Sequence, residues 1–491
     1  MVADLSRRNA LRLAGLGAAT AVAGGVGIWR TSTDGSAIDP EAGGLLAQPA
    51  VLTSTGGRLE VELVAGRGVT LAGRETQALG YNGSSPGPTL HVRPGDTLRV
   101  RLTNRLDEAT NLHTHGLHVS PEGRSDNIFR VVGPGESGDY EFAIPADHPA
   151  GTFWYHPHHH GTVADQLFGG LFGALIVAGA DDPDLPERLL VVSDISLDAG
   201  GRPAKPSLPE IMAGREGDLV LVNGQRLPRL DVVAGVTERW RFVNACVSRF
   251  VRLQLDGHRL GLLGLDGQAL GPPMDVDAVT LAPGNRADLV VSLQRAGRHT
   301  LRTLAVDRGG MGMMMGSNDT SRETALAEVR AVEASRSGPP EPKAWPGPGL
   351  PDLRDRDVAR RRRITFTMGM SMGMSMGMGP GGMTFGFDGV EFDPARVDQD
   401  PRLGTVEEWT IANTTPMDHP FHLHVWPMQL IAGPGSSATD RPDWRDVVIV
   451  PGGGEVRVLV SFEKFGGRTV YHCHILDHED RGMMGIVQTQ G

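Results

Sequence analysis

Near its C-terminus the chain reads Tyr471-His472-Cys473-His474, followed by His478 and Met483. On an extended strand, side chains alternate between faces, so Cys473 points one way while His472 and His474 point the other. Cys473, His478 and Met483 are close enough in sequence to fold onto one metal, and His419 is the candidate for a second imidazole. Two imidazoles, one thiolate and a weak thioether are the ligand set of a copper electron-transfer site. The histidines flanking the cysteine are then free to hold different metals behind the same strand.

Four His-x-His pairs supply such metals: His113 and His115, His156 and His158, His422 and His424, and His472 and His474. Residues two apart on a strand share a face roughly 6.5 Å apart, so each pair can reach two adjacent metals. Eight imidazoles meeting across an interface could hold three metals as two, three and three ligands.

These residues recur at matching places in a chain that repeats itself three times. The runs Arg93–Asn104, Ala234–Asn244 and Leu403–Asn413 each read as a turn followed by an alternating strand that ends at Asn. A second element begins at Pro134-Gly135, Pro283-Gly284 and Pro451-Gly452 and leads to a further strand. The first and third copies of that strand end in histidines, and the middle copy does not. The period is too long for a solenoid, and short strands with frequent turn signals predict an all-β chain of Greek-key sandwiches or barrels. The expected organisation is residues 1–47 as export signal and linker, a first domain over 48–180, a second over 187–335, a linker over 336–363 and a third domain over 364–491.

The 491 residues, 67 of them Gly and 34 Pro, suit a turn-rich protein of about three domains. The formal charge of −11 gives little long-range attraction for nucleic acid. The one basic run, Arg360-Arg361-Arg362-Arg363, is expected on a solvated linker face. Cys246 and Cys473 are the only cysteines, so no disulfide framework is expected, and Cys246 reads as a small core residue. Ser6-Arg7-Arg8-Asn9 precedes an uncharged run from Leu13 to Ile28 and resembles a twin-arginine export signal. That predicts use of the twin-arginine export machinery and a periplasmic, cell-surface or secreted location.

The segments His113-Thr114-His115-Gly116, His156-Pro157-His158, His419-Pro420-Phe421-His422-Leu423-His424 and His472-Cys473-His474…His478…Met483 resemble the four copper signatures of the multicopper oxidases. The resemblance runs from about Gln48 to the end. It implies three cupredoxin-like domains and four copper ions: one type 1, one type 2 and a type 3 pair. By that resemblance the type 1 copper takes His419, Cys473, His478 and axial Met483, and the type 2 copper takes His113 and His422. One type 3 copper takes His115, His156 and His474, and the other His158, His424 and His472. His159 and His160 match no ligand position and are expected to be supporting residues. His118, His148, His258 and His299 are expected to be ordinary histidines. The implied reaction passes four electrons, one at a time, from a reducing substrate through Cys473 to O2, giving water. Glu479, next to His478, and Asp126, downstream of His115, match the family's proton-supplying carboxylates.

The electron donor is suggested by methionine. Met368, Met370, Met372, Met374, Met376 and Met378 alternate strictly, Met383 follows, and Met311, Met313, Met314 and Met315 form a second group. Thioethers select Cu(I) over harder ions. Met417 stands two residues before His419, where copper-oxidising relatives place a substrate-binding methionine. The resulting expectation is an exported monomeric oxidase that converts Cu(I) to Cu(II), with a laccase-like oxidase of phenols or aromatic amines as the alternative. Outside the enzymes, a copper-storage protein or a scaffold cupredoxin remains open.

Overall fold

The computed structural model describes residues 43–310, 322–333, 349–370, 383–434 and 441–491. The expected export signal, Met311, Met313, Met314, Met315, Met372, Met374, Met376 and Met378 lie outside these residues. Met370 is described by its backbone.

Three pairs of sheets follow one another along the chain. In the first, a five-stranded sheet containing His113–His115 and Gly151–His156 faces a four-stranded sheet containing Arg58–Arg67 and Thr97–Asn104. Arg58–Arg67 alternates exposed and buried positions along its length, and its inward Val61, Leu63 and Ala65 join Leu98, Val100 and Phe142 in the first core. The second unit pairs six strands with five and the third pairs six with four, each around its own core. The all-β expectation holds.

The sequence repeat is a repeat of topology and of side-chain chemistry. Thr97–Asn104, Thr237–Asn244 and Val406–Asn413 each pair in parallel with an earlier strand of their unit and antiparallel with a later one. Each ends on an Asn whose amide donates to two backbone carbonyls: Glu108 and Val132, Arg249 and Leu281, Met417 and Val450. The oxygen of each Asn accepts the backbone N–H two residues on. One planar amide thus satisfies three main-chain groups where the strand leaves the sheet, which explains why that residue recurs.

Two expectations need correction. The four arginines are not on a linker: they lie in the strand Val358–Met370, which begins before the expected boundary at 364. Strand alternation turns Arg362 inward onto Glu407 at 2.6 and 3.0 Å, while Arg361 and Arg363 face outward onto Glu408 and Glu455. Acids on the next two strands of the sheet, which a composition reading ignores, make the run a cross-strand ladder. The segment just before residue 48 is likewise no free linker, because Leu45 bridges to Arg229 and Leu46 enters the middle core.

Cys246 is buried in the middle core, as expected. The helices among the described residues are Val163–Gly169, Leu208–Ala213 and Leu476–Glu479. No described helix is long and apolar enough to cross a membrane.

Candidate metal centre

Two neighbouring strands of the third unit divide the donors between two faces. His419–Leu423 runs antiparallel to Arg468–Cys473, with Phe421 opposite Cys473 and His422 opposite His472. Strand alternation puts His419, Phe421 and Cys473 on one face and His422 and His472 on the other.

On the first face, Sγ of Cys473 lies 3.4 Å from Nδ1 of His419 and 3.9 Å from Nδ1 of His478. Both rings are held from behind. Nε2 of His419 meets the Thr415 hydroxyl at 2.9 Å, and Nε2 of His478 donates to the Met212 carbonyl at 3.2 Å. Their Nδ1 lone pairs are therefore turned toward the sulfur. Phe366 stacks on His419 and Phe385 on His478. Met483 is fully buried in the same cluster, and the Ile475 N–H points at the sulfur. Burial pushes the Cys473 thiol up, so a thiolate here needs a cation beside it.

On the second face, the histidines of the first unit meet those of the third. Nε2 of His158 and Nε2 of His424 each lie 3.1 Å from Nε2 of His472. His472 already donates Nδ1–H to the Cys473 carbonyl, so its Nε2 carries a lone pair. His113 stacks on His424 at 4.0 Å, and His115 on His422 at 3.9 Å. Nε2 of His113, His156 and His422, Nδ1 of His115 and both nitrogens of His474 are buried without a hydrogen-bond partner. Burial holds these rings well below the usual imidazole range, and so neutral. Each unsatisfied buried polar group costs about 1–3 kcal/mol, so such a collection requires bound cations. Groups of three donors within 4.8 Å of one another include His158, His424 and His472; His113, His115 and His156; and His419, Cys473 and His478. Imidazole with one thiolate is a donor set that suits copper.

The two expected carboxylates flank these rings. Asp126 is buried, accepts from Nδ1 of His113 at 3.0 Å and from the Thr114 N–H at 2.8 Å, and is pushed up to about 7 by burial. Glu479 is fully buried, with oxygens 3.6 Å from Nδ1 of His158 and 3.5 Å from Nδ1 of His472. Neither oxygen has a hydrogen-bond partner, and burial raises its carboxyl well above the ordinary range.

One helical turn knits the three units together. Leu476 enters the core shared with the first and second units, Asp477 binds Arg215 through both oxygens, and His478 reaches Met212. Asp480 accepts the N–H groups of Gly161, Val163 and Ala164, fixing the loop that carries His158. His159 is half-buried on that loop, and His160 is exposed over Phe392. His118 pairs with His148 through its backbone, and His258 with His299, all away from the donors.

Sequence reasoning missed Asp446, which lies 3.1 Å from Nε2 of His115 and whose carbonyl accepts from His422 at 2.7 Å. It also missed Met212, which acts through its carbonyl and so leaves no residue-type signal. Met417 is found buried in the core around the sulfur site, bridged to Gly309.

Fold and donors together define a copper-dependent oxidoreductase built from three cupredoxin-like domains. Multicopper oxidase family profiles match residues 64–182, 193–325 and 360–490. The chain belongs to the multicopper oxidase family. It is 27% identical over 429 residues to multicopper oxidase mco of Staphylococcus aureus, covering 85% of each chain. It is also 27% identical over 499 residues to the cell division protein FtsP of Edwardsiella tarda, covering 99% of each. The solved structure of a multicopper oxidase from Campylobacter jejuni, described as a metallo-oxidase, superposes with a TM-score of 0.80 at 29% identity, covering 94% of this chain and 98% of that one. The family's cofactors are four copper ions, and its members use O2 with a reducing substrate.

Proposed function

We propose that this oxidase takes its electrons from Cu(I) and serves copper tolerance. The observation that carries the reading is where the methionine segments are rooted. Phe366 and Phe385, which stack on the two rings beside Cys473, lie on the paired strands that lead to Met370 and away from Met383. Gly309, two residues before Met311, bridges to Met417, two residues before His419. Met368 packs on the same core. Both methionine-rich stretches thus start beside the sulfur site, and thioether ligands favour the cuprous ion as substrate.

We assign His419, Cys473, His478 and Met483 to the type 1 copper and His113 with His422 to the type 2 copper. His115, His156 and His474 hold one type 3 copper, and His158, His424 and His472 the other. When bound, the coppers collect single electrons and supply four to O2. The chain's own part is to fix the rings of His113, His115, His156, His419, His422, His472 and His478 by their second nitrogens, to join the sulfur to both flanking imidazoles through the backbone, and to exclude water. Asp126, on Nδ1 of His113, and Glu479, beside His158 and His472, hold protons at their carboxyl oxygens next to the cluster. Buried carboxylic acids with raised affinity for protons are suited to that task.

Met370 and Met383 are direct register partners, so replacing residues 371–382 by Asn-Gly closes the hairpin with a two-residue turn. This variant should lose Cu(I) oxidation selectively while phenol oxidation persists, with oxygen uptake measured on both donors. Equal loss of both activities would point to the laccase-like alternative and away from a cuprous substrate. An FtsP-like scaffold role is opposed by the intact donor set, and a purified chain that binds no copper would restore it. Ser6-Arg7-Arg8-Asn9 supports export by the twin-arginine route, and the exported chain is proposed to act as a monomer. Retention of the chain in the cytoplasm after Arg7→Lys and Arg8→Lys together tests the route, and light scattering tests the monomer.

A further inference from the structure

The middle domain carries none of the assigned ligands, yet it sends one fully buried arginine to the edge of the imidazole cluster. Arg286 opens the strand Arg286–Ser292, and its guanidinium binds both oxygens of Asp446 in the third domain at 2.7 and 2.5 Å. Two further donors of the guanidinium are used as well. Nε donates to the Thr152 carbonyl of the first domain at 3.2 Å, and an Nη donates to the Gly284 carbonyl at 2.9 Å. Its backbone N–H is taken by Asp266, which also accepts the N–H groups of Asp446 and Val447 and meets the Asn285 amide nitrogen through both oxygens. The fork therefore touches all three domains at once.

Supported in this way, Asp446 holds its ring in the opposite sense from the groups behind His113, His156 and His422. The rings of His113, His156 and His422 are held through Nδ1, leaving Nε2 free. His115 is held through Nε2, by Oδ1 of Asp446, leaving Nδ1 free. A flip of the His115 ring would carry its lone pair away from the cluster. A fixed acceptor behind Nε2, here the Asp446 carboxylate anchored by Arg286, holds the ring in this sense. Two glycines show how tight the arrangement is. A Cβ on Gly116 would fall 2.4 Å from both Arg286 and Asp446, and one on Gly284 would fall 2.8 Å from Nε2 of His474.

We propose that Arg286 is a positioning residue for the copper cluster, acting through Asp446 to set which nitrogen of His115 faces the metals. The middle domain is then part of the oxygen-reducing site without contributing a ligand. The inference rests on His115 being a ligand as assigned above, but not on the identity of the electron donor.

The test compares copper-loaded full-length wild type, Arg286→Met, Arg286→Lys and Asp446→Asn. Copper per chain, the electron paramagnetic resonance spectrum, the blue absorption and oxygen uptake are measured on each. Loss of such an outer support lowers metal affinity by about 10–100-fold. Arg286→Met and Asp446→Asn should keep the blue absorption but hold fewer than four coppers, with an altered signal from copper outside the sulfur site. Arg286→Lys, which keeps the charge without the fork, should recover part of the copper but not the wild-type signal. Four coppers and an unchanged spectrum in Arg286→Met overturn the proposal. Should that variant fail to fold, the same result in the isosteric Asp446→Asn overturns it. A wild-type chain that never binds copper at the cluster would instead overturn the ligand assignment.

Discussion

His422 and His472 are direct partners across two antiparallel strands, and one step along the same strands Phe421 faces Cys473. The sulfur site and the imidazole cluster are therefore separated by a single alternation of the backbone. Cys473→Ser keeps the size of the side chain and removes the soft donor. The variant should lose the blue absorption and its copper at that site, while copper at the cluster remains. Absorption and metal analysis check this, and a variant that stays blue would refute the assignment of Cys473.

Glu479 offers a second test because its position separates proton supply from electron supply. It stands beside the cluster rings but touches neither Cys473 nor His419. Glu479→Gln has the same shape and cannot deliver a carboxylic proton. Oxygen uptake should fall by about 10²-fold, within the range of a lost general acid. Reduction of the blue centre by an added donor, followed without oxygen, should keep its rate. If the two rates fall together, the residue supports structure rather than proton transfer.

Much of this site was legible because donor atoms are residue types, and strand alternation fixes which donors share a face. Spacing marked His113, His156, His424 and Cys473 as donors, and the family resemblance implied which copper each would hold. The outer supports could not. Asp446 belongs to the run Asp443-Trp444-Arg445-Asp446, which has no distinctive spacing, and its partner Arg286 is 160 residues away in sequence. Met212 serves through its backbone, where side-chain identity carries no information. The arginine run was misplaced for a related reason. Its acidic partners Glu407, Glu408 and Glu455 become neighbours only once the strands pair.

The same buried rings predict how the copper-free chain responds to acid. An exposed imidazole in the unfolded chain takes a proton below about pH 6.5. In the folded chain burial lowers His472 to about 4 and His156 and His478 to about 3. Their contribution to stability is thus complete above about pH 6.5 and is lost as pH falls toward 4, at about 1.4 kcal/mol per pH unit for each ring. Asp126, Asp446 and Asp480, each pushed up to about 7, and Glu479, also raised by burial, act in the opposite sense. They favour the folded chain most below about pH 4 and lose that advantage as pH rises to 7. The imidazoles outnumber the raised carboxyls, so the net slope follows them. Urea midpoints of the copper-free chain should fall steadily from pH 6.5 to 4.5. A flat profile would mean that the rings are hydrated in the absence of copper and that the cluster is assembled by the metal.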